Sequence, residues 1–218
     1  IEQEPKVKEI LSEEARQKKS RIYDISEDNL KFKEKAGKYI DFLNANAYDK
    51  ERDVRTNIAG EFQKSNLAAA LQTAELICGR LDEDKIYEAL SQIRISGRME
   101  EIAPGIIVDV SHNIQGMQGF VQTVEANYHG MKKRILFAAS HQNEEEYMKN
   151  ILKTIPEIEA FYTVGIHKRR INEAEFQDAF RKMIDRNQET TVCFVVGSFY
   201  LAGMAKEFIN QEEENVRV

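Results

Sequence analysis

The residues Ile106-Ile107-Val108-Asp109-Val110-Ser111-His112-Asn113 carry the strongest structural signal in the chain. An apolar run typical of a buried strand ends here in an acid, a turn and a histidine. In open α/β sheets, ligands bind outside the carboxyl ends of the strands, where the next helix offers unpaired backbone N–H groups to anions. The run therefore predicts a site at a strand end. The alternative is that Asp109 only begins a turn and His112 only caps a helix.

Strand-like apolar runs alternate with helical patterns through the second half of the chain. The predicted strands cover residues 105–110, 134–138, 161–164 and 192–196, and the predicted helices cover 115–126, 144–154, 173–186 and 200–211. Such alternation is typical of α/β proteins with a mainly parallel sheet, helices on both faces and right-handed crossovers. We therefore expect a Rossmann-like domain in which polar residues of 96–100, 109–113 and 197–200 meet in one crevice.

The first half has a different pattern. An amphipathic helix is predicted over residues 4–19, a short strand over 21–25, antiparallel strands or hairpins over 30–58, a helix from about Ser65 to Cys78, and a short helix over 84–90. Residues 91–97 have little periodicity. The change of pattern predicts two domains, at residues 1–92 and 93–218.

Composition excludes several classes of protein. A chain of 218 residues with 42% hydrophobic and 31% charged residues is typical of a globular protein rather than a disordered one. Its net charge of −6 argues against a general nucleic-acid binder. One basic segment, residues 167–170, predicts either a phosphate or carboxylate grip or a solvated loop. No apolar run is long enough to span a membrane, so we expect a cytoplasmic protein without membrane contacts.

Several chemical signatures are absent from the sequence. Two distant cysteines, Cys78 and Cys193, provide neither a disulfide framework nor a thiolate zinc site, so we expect no resident zinc or iron. There is no G-x-x-x-x-G-K-[ST] phosphate loop, no G-x-G-x-x-G, no H-E-x-x-H and no G-x-S-x-G. These residues alone are therefore not expected to hydrolyse nucleotides.

Four short motifs occur in an order that resembles a known family. They are Gly60-x-x-Gln63-x-x-Asn66 before an alanine-rich helix, Ser96-Gly97-Arg98-Met99-Glu100, Asp109-x-x-His112-Asn113 and Gly197-Ser198-x-Tyr200. Folylpolyglutamate synthase/dihydrofolate synthase, of the Mur ligase superfamily, has the similar patterns G-x-H-Q-x-x-N, P-G-R-x-E, D-G-A-H-N-P and G-S-x-Y. The combination covers nearly the whole chain and is more specific than any single motif.

The chain departs from the family pattern at several positions. Phe62 stands in place of the usual histidine, Ser96 in place of proline, Val110-Ser111 in place of glycine-alanine, and Ile114 in place of proline. After the strand at 134–138, the family usually has D-K-D, and this chain has His141-Gln142-Asn143. That change predicts altered substrate handling or loss of activity. For His141 itself, a surface-loop position and a ligand contact are both open.

The resemblance implies that residues 1–92 are the latter part of a central ATPase domain and residues 93–218 a C-terminal domain. The phosphate loop and magnesium ligands of the family would lie before residue 1, so the isolated chain is expected to be inactive. The implied reaction transfers the terminal phosphate of ATP to a folate or related carboxylate, with Mg²⁺, and L-glutamate then attacks the acyl phosphate.

The resemblance also implies roles for five residues. Asn66 would contact adenine, Arg98 the phosphates and Asp109 the ribose, while His112 and Ser198 would orient the glutamate. Arginine suits phosphate because its planar fork donates paired hydrogen bonds. Each role has a structural alternative: capping of the alanine-rich helix by Asn66, capping by Ser198, and a structural role for His112. Two further readings are a Mur-type ligase with another substrate and a non-catalytic nucleotide- or metabolite-binding module.

Overall fold

A computed structural model of the protein describes residues 4–23, 30–32, 41–45, 53–56, 58–60, 62–79, 81–167, 170–185 and 190–216. The chain divides into two compact units. The first comprises Ile1–Asn57 and Glu61–Ile93, and the second comprises Ile58–Gly60 and Arg94–Val218. No described helix is both long enough and apolar enough to cross a membrane.

The described residues of the first unit form three helices and a small antiparallel sheet. Its elements are α1 (Pro5–Gln17), β1 (Leu30–Phe32), β2 (Asp41–Ala45), β3 (Asp53–Arg55), α2 (Phe62–Cys78) and α3 (Glu83–Gln92). The strands pair in the order β1-β2-β3. Proline at the first position of α1 favours a helix start, since its missing N–H would have no partner there. Antiparallel strands were expected in this part of the chain.

Two expectations for the first unit are wrong. Residues 21–23 lie in no strand, and the rest of that predicted strand lies outside the described residues. Helix α2 begins at Phe62 rather than near Ser65. The helix thus begins about one turn before the residue expected from the alanine-rich pattern. Gly60, whose φ is +112°, lies just ahead of it and ends the extended chain. Asn66 therefore lies inside α2 and does not cap it.

The second unit confirms the α/β expectation. Its elements are β4 (Glu100–Ala103), β5 (Ile106–Asp109), α4 (Ile114–Asn127), β6 (Lys132–Phe137), α5 (Glu145–Leu152), β7 (Ile158–Thr163), β8 (Ile166–His167), β9 (Arg170–Ile171), α6 (Glu173–Ile184), β10 (Thr191–Val196) and α7 (Phe199–Val216). The main sheet has the order β4-β5-β10-β6-β7. Strands β5, β10, β6 and β7 are parallel, and β4 is antiparallel to β5.

Two strand pairs in this unit were not expected. Strand β4 was missed because it is a four-residue edge strand with two glutamates, which lacks a buried strand's apolar run. His167 and Arg170 of the predicted basic segment face each other in the antiparallel strand pair β8–β9. Lys168 and Arg169 lie outside the described residues, so the phosphate grip predicted for this segment stays a prediction.

Helices cover both faces of the main sheet. Alternate residues of the central strand β10 enter opposite cores because side chains alternate across a strand. Phe194 packs with residues of α4 and α5, whereas Cys193 and Val195 pack with residues of α6 and α7. Every residue of β5 and β10 is buried. The continuous burial explains why these two strands are recognisable as apolar runs in the sequence.

Candidate functional site

The carboxyl ends of β5 and β10 bring two predicted motifs side by side. The strands are adjacent and in register, with Asp109 opposite Val196. Each chain then leaves the sheet, enters a short turn and begins a helix, α4 after Asn113 and α7 after Ser198. The amino ends of two long helices therefore lie beside the same edge of the sheet, which is where open α/β sheets place ligands.

Asp109 is a fully buried carboxylate at the end of β5. Its Oδ1 accepts hydrogen bonds from the backbone N–H of Ser111, at 2.9 Å, and from the Ser111 hydroxyl, at 2.6 Å. Its Oδ2 accepts from the backbone N–H of Met99, at 3.0 Å. Burial raises the pKa of this carboxyl above its ordinary value, and the hydrogen bonds oppose that rise. Asp109 thus fastens the segment before β4 to the end of β5.

The segment Ser96–Met99 forms a tight turn against β5. Gly97 has φ +71°, and a Cβ at this position would lie 2.6 Å from a methyl carbon of Val110. The Gly97 carbonyl also accepts a 2.8 Å hydrogen bond from the Val110 N–H. Met99 adopts φ +46°, which is uncommon for a residue with a side chain. The bond from Met99 N–H to Asp109 stabilises this backbone.

Arg98 lies between Gly97 and Met99, whose backbones are both bonded to the end of β5, and it is half-buried. Its backbone N–H donates to the carbonyl of Ile95, at 3.2 Å. Within the described part of the chain, its guanidinium makes no hydrogen bond or ion pair, although its charge acts on nearby Asp109. Five N–H donors thus have no partner among the described residues and can bind an anion.

His112 follows β5 and is half-buried. Its Nδ1 lies 2.9 Å from the carbonyl oxygen of Val110. Because a carbonyl only accepts hydrogen bonds, Nδ1 must carry a proton, which leaves Nε2 for another partner. The imidazole ring lies 5.4 Å from the ring of Phe199, centroid to centroid. This contact joins the start of α4 to the start of α7.

Ser198 and Asn113 have the geometry of helix caps. The Ser198 Oγ accepts a 3.1 Å hydrogen bond from the Tyr200 N–H, and the Asn113 Oδ1 accepts a 2.7 Å bond from the Gly116 N–H. Ser198 is also fully buried. The capping alternative therefore matches its contacts, and orientation of glutamate by Ser198 stays a prediction.

Gly197 permits the close approach of β10 and β6 just before Ser198. It has φ +109°, and a Cβ would lie 2.6 Å from both the Ala138 carbonyl oxygen and the ring of Phe137. His141 is exposed and precedes a single 3-10 turn, Gln142–Glu144. Its position is that of a surface-loop histidine near the end of β6.

The predicted site residues fall into two groups. Arg98, Asp109, His112 and Ser198 all lie at the ends of β4, β5 and β10 in the second unit. Asn66 belongs to the first unit, where its exposed side chain donates a 2.9 Å hydrogen bond to Gln63 Oε1. Convergence of Asn66 with the other four therefore stays a prediction.

Three contributors to this edge were missed in the sequence. Met99 was overlooked because its unusual backbone has no local signal. Phe199 was not recognised as the partner of His112. Lys206 lies in the third turn of α7. Its Nζ is 2.6 Å from Ser96 Oγ, so it contacts the Arg98 segment, residues 96–100. Residues so distant along the chain are paired only by folding.

Comparison with known proteins supports the fold. No protein-family model matches the chain, and no curated protein matches it in sequence. Among solved structures, an FPGS–AMPPCP–folate complex has a TM-score of 0.74 at 19% identity, over 94% of this chain and 51% of that chain. Folylpolyglutamate synthase from Thermotoga maritima has a TM-score of 0.69 at 21% identity, over 95% and 52%.

A ligase of different specificity shares the fold at lower similarity. A pseudomurein peptide ligase type C from Methanothermus fervidus has a TM-score of 0.61 at 18% identity, over 84% of this chain and 42% of that chain. The chain spans about half the length of the folylpolyglutamate synthase structures that it matches. At these identities the likeness establishes the fold, and it agrees with the C-terminal portion that the sequence predicted.

Proposed function

We propose that the chain is part of an ATP-dependent amide ligase of the folylpolyglutamate synthase/dihydrofolate synthase kind, acting in folate and one-carbon metabolism in the cytoplasm. The observation that carries the proposal is the Arg98 guanidinium, unbonded within the described residues, beside the strand ends that carry Asp109 and His112. The four ordered motifs and the fold shared with an FPGS–AMPPCP–folate complex support it.

The proposed reaction needs positioning and charge neutralisation more than covalent chemistry by the protein. A carboxylate oxygen of the folate or related acyl substrate attacks the terminal phosphorus of ATP, and ADP leaves. The amino group of L-glutamate then attacks the acyl carbon, inorganic phosphate leaves, and the amine loses a proton. Arg98 would bind the phosphates of ATP, where its charge opposes the repulsion between the phosphoryl groups and the attacking carboxylate.

The other residues would act around Arg98. His112 has Nε2 available to accept a hydrogen bond from the amino group of glutamate, and we assign it that orienting role. Asp109 holds the Arg98 segment, and its carboxylate is already engaged by three donors. Because Asp109 is also fully buried, a contact between its carboxylate and the ribose requires a shift of the Arg98 segment when the nucleotide binds. Asn66 would contact adenine, and Ser198 would orient the glutamate.

Mg²⁺ is expected with ATP in such a reaction. Among the described residues, no three or more His, Cys, Asp or Glu side chains form a group able to hold a metal ion. We therefore assign none of the described residues as magnesium ligands. We also expect the isolated chain not to turn over ATP.

A related ligase with a different substrate is the second candidate. His141-Gln142-Asn143 replaces the usual D-K-D, so two acids and a lysine are missing from the segment after β6. The likeness to the pseudomurein peptide ligase shows that this fold occurs in a ligase of another specificity. The second candidate therefore differs from the first in its acyl or amino substrate.

The test compares the isolated chain with a longer protein that contains it. The longer protein should release ADP and form a glutamate amide, detected by mass spectrometry, when given ATP, Mg²⁺, glutamate and a folate acceptor. The isolated chain should bind ATP without turnover, and Arg98→Ala should weaken that binding about tenfold or more, as expected for loss of a charged hydrogen bond. Arg181→Ala, at an exposed arginine on α6, is the matched control.

The outcomes separate the candidates. Amide formation only with other amino acids or acyl acceptors would replace the folate ligase by a related Mur-type ligase. ATP binding without ADP release by the longer protein would identify a non-catalytic binding module. If the longer protein neither binds ATP nor forms an amide, or if Arg98→Ala leaves ATP binding unchanged, the proposed function is wrong.

A further inference from the structure

Lys206 connects helix α7 to both ends of the Arg98 segment. Its Nζ lies 2.6 Å from Glu100 Oε2 and 2.6 Å from Ser96 Oγ. The same Glu100 Oε2 accepts a 2.6 Å hydrogen bond from the backbone N–H of Gly97. A single ammonium group therefore contacts the residues on either side of Gly97-Arg98-Met99 and reinforces the turn between them.

We propose that Lys206, acting through Glu100 and Ser96, is a positioning residue for Arg98. The inference rests on the proposed role of Arg98 as a phosphate ligand and adds the group that holds it in place. Arg98 itself makes no side-chain bond within the described residues, so the direction of its guanidinium depends on the backbone that carries it. Fixing that backbone before the ligand arrives lowers the entropy lost on binding.

The backbone at Arg98 is anchored on two sides. Toward β5, Gly97 O accepts from Val110 N–H and Met99 N–H donates to Asp109. Toward α7, the link through Glu100 to Lys206 provides the second anchor. If only the contacts toward β5 remained, the turn would be held from one side, and fewer contacts would stabilise the positive φ of Met99.

Charge and burial favour a persistent contact. The Lys206 and Glu100 side chains are 29% and 33% exposed, so solvent weakens their attraction less than that of a fully exposed pair. Burial alone raises the pKa of Glu100, but the hydrogen bonds from Lys206 and Gly97 outweigh it and hold the pKa below its ordinary value. Glu100 therefore remains an acceptor at neutral pH.

Helix α7 makes Lys206 more than a local contact. Phe199, the first residue of α7, packs against His112, and Lys206 lies two turns further along the same helix. The helix thus fixes the Arg98 segment and the His112 ring to one rigid element. Loss of Lys206 would release the first of these and leave the second in place.

The experiment uses the 218-residue chain and four variants, Lys206→Met, Lys206→Arg, Glu100→Gln and the double variant Lys206→Met/Glu100→Gln. Affinity for ATP is measured by NMR from the Arg98 Nε–Hε signal, and hydrogen exchange is measured at the Gly97 amide. Lys182→Met is the control, because Lys182 forms an ion pair of similar length, 2.7 Å, with Asp178 one turn earlier in α6, where both side chains are exposed.

Lys206→Met should weaken ATP binding about fivefold, in line with the loss of one partly exposed ion pair of about 1 kcal/mol. It should also speed exchange at Gly97, and Lys206→Arg should restore both to within about twofold of the wild type. The double variant should be no weaker than the poorer single variant, because both changes break one link. Lys182→Met should alter neither measurement.

Three outcomes would overturn the inference. Unchanged ATP affinity in Lys206→Met, with binding by the wild type intact, would remove the positioning role and leave the proposed function standing. Equal losses in Lys206→Met and Lys206→Arg would show that the contact is not the cause. Failure of the wild-type chain to bind ATP would overturn this inference, and amide formation by the longer protein would then decide the proposed function separately.

Discussion

Basic side chains at the two ends of the main sheet differ in whether they are hydrogen-bonded within the protein. At the amino end, the fully buried Lys133 places its Nζ 2.8 Å from Glu157, and Arg134 places its Nε 2.8 Å from Glu159. Arg134 also donates to the carbonyls of Met183 and Asp185 at the end of α6. At the carboxyl end, Arg98 is held by its backbone and its guanidinium is unbonded within the described residues.

The difference separates structural charges from available ones. A charged side chain whose hydrogen bonds are all made inside the protein has few donors left for a ligand. Its removal therefore lowers the stability of the fold. A half-buried guanidinium such as that of Arg98, which has no partner among the described residues, can offer its donors to an external anion. Position in the sheet supports the same division, because ligands of open α/β sheets bind at the carboxyl ends of the strands. Substitutions of Arg98 and of the basic residues at the amino end should therefore affect different properties.

Gly197 offers the harshest test of the carboxyl end. Gly197→Ala would place a methyl group 2.6 Å from the carbonyl oxygen of Ala138, just after β6. It would also force a residue with a side chain to adopt a φ of +109°. We expect the free energy of unfolding to fall by about 3 kcal/mol or more, measured by urea denaturation. Gly203→Ala on α7 is the control, since nothing lies within 4 Å of its Cβ position. It should stabilise the chain by about 0.5–1 kcal/mol. Equal effects would mean that the close approach at Gly197 imposes no constraint.

A pair of arginine substitutions tests the division directly. Arg134→Ala removes hydrogen bonds to Glu159 and to two carbonyls, and should lower the free energy of unfolding by about 2 kcal/mol without changing ATP affinity. Arg98→Ala should lower it by less than about 1 kcal/mol and remove most of the ATP affinity. Urea denaturation and ATP titration of both variants give the four values. A stability loss at Arg98 as large as that at Arg134 would contradict the comparison.

The pH dependence of stability should have opposite signs at the two ends. Burial raises the pKa of Asp109 above 3.8, so the folded state holds this proton more tightly and its contribution to stability grows as the pH falls through the raised pKa. The Lys133 hydrogen bond lowers the pKa of Glu157 below 4.5, so its contribution is present above 4.5 and is lost as the pH falls through the lowered pKa.

Two variants separate these contributions in urea denaturation between about pH 7 and about pH 3.5. Relative to the wild type, Asp109→Asn should be most favourable near neutral pH and lose that advantage in acid. Glu157→Gln should be least favourable near neutral pH and approach the wild type in acid. Parallel curves for the wild type and both variants would show that neither carboxyl has a shifted pKa.

Apolar continuity accounts for how well the main sheet was anticipated. Strands β5 and β10 are buried along their whole length, so burial and sequence pattern coincide. The predicted strand at 134–138 began two residues late, because Lys132 and Lys133 look like surface residues. Lys133 is buried only because Glu157, far along the chain, supplies its partner. Short polar strands such as β4 have no comparable pattern.

The candidate site was anticipated to a lesser extent. Arg98, Asp109, His112 and Ser198 stood in recognisable motifs, and they lie at the ends of neighbouring strands. The turn at Asp109 and the capping by Ser198 were among the structural alternatives, but the bond between Asp109 and Met99 was not foreseen. Asp109 is engaged by Met99 and Ser111, and Ser198 is engaged by Tyr200. A motif identifies which side chains are present, whereas the number of bonds already made inside the protein depends on the packing around them.

Local pattern was sufficient for the α/β class, for most of the helices and for the location of polar residues at strand ends. These features depend on periodicities of about two and 3.6 residues, which are visible along a short stretch of chain. The pairing of Lys206 with Glu100, the burial of Lys133 and the left-handed backbone of Met99 required the assembled molecule. Each of them joins or strains groups through contacts whose free energy exists only when distant parts of the chain are packed together.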